Sequence, residues 1–195
     1  MRDKFGPNAN YSIGNFSGSQ DRKFADFFAG TDSSCILIEF KGFENEIQDE
    51  FKKPLRKKLC EELTDETAAL SRGSHFIAYR SPINSMQIKL ASYVDVVCPI
   101  FSIGIPPLTI AHAKAHSDFI DGFLSGHKGV SFNEFLAYAG HLNATAGGIE
   151  NGATAPFRSI LYSRDMRGKV VGTIFESLGE LKQLLDQKPK RYPKP

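Results

Sequence analysis

The sequence predicts an α/β protein, a mixed sheet flanked by helices, and three observations carry that expectation. Two short apolar runs, 23–29 and 35–41, flank Gly30-Thr31-Asp32-Ser33-Ser34, which is turn chemistry, so residues 23–41 read as a β-hairpin. Ile47, Phe51, Leu55, Leu59 and Leu63 then recur every four positions, one apolar stripe on a helix. Residues 75–81, HFIAYRS, follow as a strand, which a right-handed crossover would return to the same sheet.

Composition bounds the function. The chain has 195 residues, 41% hydrophobic and 24% charged, as in an ordinary globular protein. Its net charge of +2 excludes a global basic field, so any nucleic-acid surface must be local. Cys35, Cys60 and Cys98 are widely spaced and form no CxxC, which argues against a disulfide framework or a structural zinc site and suits a reducing cytoplasm. No apolar run reaches the length of a membrane span, and the N-terminus lacks an apolar core of signal-peptide length.

In chain order, Tyr11, Ile13 and Phe16 suit a short first strand or a loosely held arm. The period-2 rule organises the hairpin: with residue 30 opposite 35 and 28 opposite 37, Asp26 falls opposite Glu39, and a four-residue loop remains. Glu39 and Lys41 share a face, so two carboxylates and one ammonium project into one small space. Paired carboxylates repel and call for a cation, and oxygen ligands of this kind suit Mg²⁺ or Mn²⁺. The helix over 44–63 is interrupted at Pro54, by a kink or by a second helix with Pro54 in its first turn. Lys52, Lys53, Arg56, Lys57 and Lys58 form a basic cluster there, suited to backbone phosphates or to pairing with Glu50, Glu61 and Glu62.

Residues 64–72 continue helical, with Gly73 as the stop. The apolar run with Tyr93, Val94, Val96 and Val97 reads as another strand, with Asp95 a further acid in it. Residues 109–124 read as a helix on which His112 and His116 share a face, without a third ligand for zinc. A helix over 131–142 opens on a Ser131/Glu134 capping box. A Gly-rich loop (143–156), a hairpin (157–163 with 169–175), a helix to residue 187 capped by Ser177 and Glu180, and a basic Pro-rich tail complete the chain. Residues 1–108 are expected to form the α/β core and 109–195 a C-terminal helical and hairpin elaboration packed on it, or the two form one continuous domain.

Asp26, a hairpin turn and then Glu39-Phe40-Lys41 resemble the core motif of the PD-(D/E)xK nuclease superfamily over residues 20–81. The resemblance implies a restriction-endonuclease-like mixed sheet and a Mg²⁺- or Mn²⁺-dependent hydrolysis of phosphodiester bonds in nucleic acid, DNA before RNA. Asp26, Glu39 and the Phe40 carbonyl would then hold the metal, and Lys41 would position the attacking water. A role in microbial defence, restriction or repair goes with the resemblance. Two departures stand out: no Glu precedes Glu39, although many members carry an acid on an upstream helix, and Ala25 stands where proline is common. Gln48, with Phe51 three residues on, is faintly similar to the Q-x-x-Y element of RecB-like nucleases. The alternative is a non-catalytic, nuclease-like binding or assembly subunit, homo-oligomeric or part of a protein complex.

Overall fold

The computed structural model describes residues 11–15, 24–31, 33–81, 87–103, 113–148, 156–164 and 170–186. The hairpin forms in the expected register. Strand β2 (Phe27–Thr31) pairs antiparallel with β3 (Cys35–Phe43), with Gly30 opposite Cys35 and Phe28 opposite Leu37. Strand β1 (Tyr11–Asn15) extends the meander along the other edge of β2. Asp26 stands just before β2.

The stretch after β3 is helical in three pieces. A 3₁₀ helix spans Glu44–Lys52, α1 spans Pro54–Glu62 with Pro54 in its first turn, and α2 spans Asp65–Ser74 behind a Thr64/Thr67 capping box. They carry the chain across to β4 (His75–Arg80), which lies parallel to β3. Strand β5 (Ile88–Ser92) returns antiparallel. The run from Tyr93, expected as a strand, is instead the helix α3 (Tyr93–Ile103). Tyr93, Val96, Val97 and Ile100 are buried at spacing i, i+3, i+4, i+7, so helical periodicity prevails over the β propensity of the valines. Asp95 sits in its first turn, at the surface, paired with Arg72 at 2.8 Å.

A two-residue strand β6 (Lys114–Ala115) leads into α4 (His116–Leu124), so the helix expected from residue 109 is described only from His116; His112 lies outside the described residues. Helix α5 (Phe132–Thr145) opens on the expected Ser131/Glu134 box. Strands β7 (Pro156–Arg164) and β8 (Val170–Ser177) form the late hairpin, and α6 (Leu178–Asp186) follows, with Ser177 accepting the Glu180 N–H. Most of the Gly-rich loop and the basic tail lie outside the described residues.

The strands make one mixed sheet in the order β6-β5-β4-β3-β2-β1-β7-β8. The late hairpin therefore joins the sheet through β1, and the residue-108 boundary does not divide the sheet. Successive residues of β3 and β4 serve opposite faces. Leu37, Ile77 and Tyr79 belong to a large core that also takes residues from the 3₁₀ helix, α1, α3, α5 and α6, whereas Ile36, Ile38, Phe76 and Ala78 meet Phe119 and Phe123 of α4. Both faces of the central strands are covered, which accounts for the continuous apolar run of β3.

The cysteines correct an expectation. Cys60 on α1 and Cys98 on α3 are joined by a disulfide, with Cα atoms 5.3 Å apart; Cys35 is free and buried. The pairing depends on two helices packing side by side, which a 38-residue separation does not reveal. Among the described residues no helix is long and apolar enough to cross a membrane.

Candidate functional site

The hairpin brings Asp26, Glu39 and Lys41 together. Asp26 follows the buried pair Phe24-Ala25, and its Oδ2 accepts the Phe40 N–H at 2.6 Å, so the acid lies beside the Glu39–Phe40 peptide. Glu39 faces the helices and is only 1% exposed. Its Oε1 is 3.2 Å from Lys41 Nζ and 2.5 Å from Lys53 Nζ, and its Oε2 is 3.4 Å from an Arg56 guanidinium nitrogen.

A second buried acid completes the group. Glu50 Oε1 stands 2.5 Å from Lys41 Nζ and 2.8 Å from Lys53 Nζ, its Oε2 lies 3.7 Å from Arg56 Nε, and Tyr93 donates its hydroxyl to the same Oε2 at 2.5 Å. The reason Glu50 faces inward is the 3₁₀ geometry. Three residues per turn align Glu44, Ile47, Glu50 and Lys53, so Ile47 and Glu50 are buried and Phe51, expected on the apolar stripe, is 59% exposed. Arg56 is buried one turn into α1 and also donates to the Phe24 carbonyl at 3.2 Å, which ties the helix to the segment that carries Asp26.

Two carboxylates thus share three cations, and they titrate as a unit. Burial and the Glu50 charge push the Glu39 carboxyl up, against Arg56 and Lys53. Burial also acts to raise Glu50, but the hydrogen bonds and charges of Lys41 and Lys53, with the Tyr93 hydroxyl, outweigh it and hold that carboxyl down to about 2. Glu39 is therefore the member that takes up the first proton.

Behind the acids lies a polar chain. The His75 ring stacks on Tyr93 with centroids 4.1 Å apart, and the Arg56 guanidinium stands 5.5 Å from the centroid of the same tyrosine. Tyr138 donates to Ser71 Oγ at 3.0 Å, which leaves its oxygen to accept from His75 Nδ1 at 2.9 Å. This assigns the Nδ1–H tautomer. Cys35 is no nucleophile here, because burial pushes its thiol up to about 12.

The basic cluster divides. Lys53 and Arg56 turn into the acid pair. Lys52, Lys57 and Lys58 stay at the surface beside Asp49, Glu61 and Glu62, at 2.7, 3.7 and 3.6 Å, and Lys58 also donates to the Thr145 carbonyl. Gln48 and His116 are exposed. Sequence reasoning missed Glu50, Tyr93 and His75 as members of the group. The available signal was Glu50, Lys53 and Arg56 at a spacing of three, an alternation that fits one face of a 3₁₀ helix running into α1.

In kind, the donors at the hairpin fit a hard divalent cation: half-buried Asp26, Glu39 and the Phe40 carbonyl all offer oxygen. The Asp26 carboxylate accepts the Phe40 N–H, which keeps this acid beside the peptide that follows Glu39. Among the described residues no group of three or more His, Cys, Asp or Glu could hold a metal ion, so a cation here would rely on two carboxylates and main chain. It would also have to exchange with the Lys53 ammonium, whose side chain is 40% exposed at the edge of the cluster. No family model matches the chain, nor does any curated protein or solved structure.

Proposed function

We propose that this protein is a metal-dependent nuclease of the PD-(D/E)xK type that hydrolyses phosphodiester bonds, in DNA before RNA. One observation carries the reading: the Asp26 carboxylate accepts the Phe40 amide, in the middle of Glu39-Phe40-Lys41. The path of the chain from hairpin through helices to a strand parallel with β3 supports a restriction-endonuclease-like fold as well.

Asp26, Glu39 and the Phe40 carbonyl would hold Mg²⁺ or Mn²⁺, which when bound polarises a phosphoryl oxygen and acidifies a water. Lys41, fixed between Glu39 and Glu50, orients that water. Lys41 and Lys53, with the Tyr93 hydroxyl, keep Glu50 ionised, and Glu50 in turn is the second anchor of Lys41. Lys53, the most exposed of the three cations, is the one free to swing toward a phosphate. Lys52, Lys57 and Lys58 would add backbone contacts.

The test is cleavage of plasmid, linear duplex, single-stranded DNA and RNA with Mg²⁺, Mn²⁺ or EDTA. Asp26→Asn and Glu39→Gln keep shape and are expected to lower the rate by about 100-fold or more, with a cooperative melt retained, at a lower midpoint for Glu39→Gln because its buried cations lose a partner. Metal should also raise the midpoint of the wild type. Unchanged cleavage by either variant in a clean preparation would overturn the assignment.

A second reading has its own observation. Glu39 and Glu50 are already neutralised by Lys41, Lys53 and Arg56, so the cluster is complete as an ionic network without metal. On that reading the chain is a non-catalytic assembly or binding subunit. It would self-associate or capture a partner in size-exclusion chromatography, and its midpoint would not respond to Mg²⁺ or Mn²⁺.

A further inference from the structure

The sheet face opposite the acids carries a second feature. Helix α4 covers this face as far as Ala78 and Leu90, through Phe119 and Phe123. Phe40 stands in the Ala78 row, and Arg80 and Ile88 form a row further on, toward the carboxyl ends of the parallel strands β3 and β4. A cleft of about 290 Å³ opens there, with Phe40, Ala78 and Ile88 as apolar lining and Arg80 as its cation, the Lys41 ammonium being turned to Glu39 and Glu50 on the other face. The carboxyl ends of parallel strands are where open α/β sheets usually take ligands.

Two aromatic rings are unusually open at this point. Phe40 is 49% exposed and Phe43 48%. Phe27 meets Phe40 edge-on, with centroids 6.0 Å apart, so the Phe40 ring is held in orientation while a large part of it stays free. The Arg80 guanidinium stands 5.6 Å from the Phe43 ring centroid, and no carboxylate among the described residues pairs with it. Of the acids at the exit of β3, Glu46 accepts the Gly42 N–H at 2.8 Å, and the charge of Glu44 bears on Tyr79, whose side chain belongs to the core on the other face. An open aromatic face next to an unneutralised guanidinium matches one ligand chemistry: a planar base attached to a phosphate. The volume lies at the small end of ligand pockets, which suits a single ring system.

We infer that this cleft binds an unpaired nucleotide of single-stranded nucleic acid, with the base stacked on Phe40 and the adjoining phosphate at Arg80. The inference rests on the nuclease reading and deepens it. Phe40 is the residue between Glu39 and Lys41, so a base stacked on it lies against the strand that carries the candidate site. The stacked base would select single strands, frayed ends or flaps over intact duplex, in which no base is available to leave the stack.

The experiment is fluorescence anisotropy in EDTA with a short labelled oligodeoxynucleotide as single strand, as duplex and as an abasic strand of equal charge. Cleavage of the same oligonucleotides in Mg²⁺ is followed in parallel. The single strand is expected to bind about tenfold tighter than the duplex or the abasic strand. Phe40→Ala and Phe40→Leu should each remove that preference, and Arg80→Gln should lower the salt dependence by about one phosphate contact. The abasic strand tests stacking on the unaltered protein, so the outcome does not depend on a variant folding. Equal binding of all three oligonucleotides, or full affinity in folded Phe40→Leu, overturns the inference. Glu39-dependent cleavage together with equal binding removes the cleft and leaves the nuclease. Base-dependent binding without cleavage removes the hydrolysis and leaves the cleft. Absence of both removes both.

Discussion

At the scale of single residues, the buried polar groups around Tyr93 set the acid limit of this fold. His75 is fully buried, and burial first, then the Arg56 charge, push its pKa well below the ordinary 6.5, with Glu50 opposing. The folded protein keeps the imidazole neutral while the unfolded chain protonates it below about pH 6.5. The unfolded state then holds the extra proton, so stability falls as pH drops, by about 1.4 kcal/mol per unit for one such group. Glu39 works in the opposite sense: its raised carboxyl favours the fold below its ordinary 4.5 and loses that contribution as pH rises through its raised value. A comparison with His75→Phe isolates the imidazole, because the ring can keep its stack on Tyr93. Denaturant titrations should show wild type losing about 2 kcal/mol more than the variant between about pH 6.5 and about pH 5. Parallel curves would mean that His75 takes up its proton without unfolding. Neither His75 nor Glu50 was legible as a site member, since a lone buried histidine and an acid on a charged helix both look ordinary until the tertiary neighbours are known.

At the scale of elements, the site depends on how α1 sits against α3. Helix α1 carries Arg56 and Cys60, and α3 carries Tyr93 and Cys98, so the disulfide spans the same two helices as the Arg56–Tyr93 contact. Closing a 38-residue separation restricts the unfolded chain by about 4 kcal/mol in the chain-entropy picture. A reductant, or Cys60→Ser, is therefore expected to lower stability by up to about 4 kcal/mol and to leave the reductant without effect in the variant. An unfolding midpoint that ignores reductant in the wild type would contradict this. The hairpin register was legible because turn residues and a period of two leave few alternatives. The same rules failed after Gly42. A stripe drawn at the α-helical period misplaced Phe51 and hid Glu50, because the segment winds with three residues per turn. The run at Tyr93 was misread because valines weigh toward strands, although the spacing of Tyr93, Val96, Val97 and Ile100 was helical all along.

At the scale of the whole molecule, the late hairpin is part of the core that supports the site. Phe157 on β7 packs its ring 5.3 Å from that of Phe24, 5.0 Å from that of Phe28 and 5.9 Å from that of Phe135. Phe24 and Phe28 flank Asp26, so the residue that begins the candidate site is held from the far end of the chain. A helical and hairpin elaboration was legible in the sequence, but not its attachment to β1, since nothing local to residues 156–177 names the strand they pair with. The consequence is testable by truncation. A chain ending at residue 108 would lose Phe135, Tyr138, Leu142, Phe157, Leu161, Phe175, Leu178 and Leu181 from one continuous core and would open the edge of β1. Large core side chains contribute about 2–5 kcal/mol each, against a total stability of about 5–15 kcal/mol. Residues 1–108 alone are therefore expected to be unfolded or aggregated by circular dichroism and light scattering, with no metal-dependent cleavage. A soluble 1–108 fragment with a cooperative melt would show that the hairpin and its helices make a sufficient core, and that the ring of phenylalanines around Phe157 is an addition to the site and not its support.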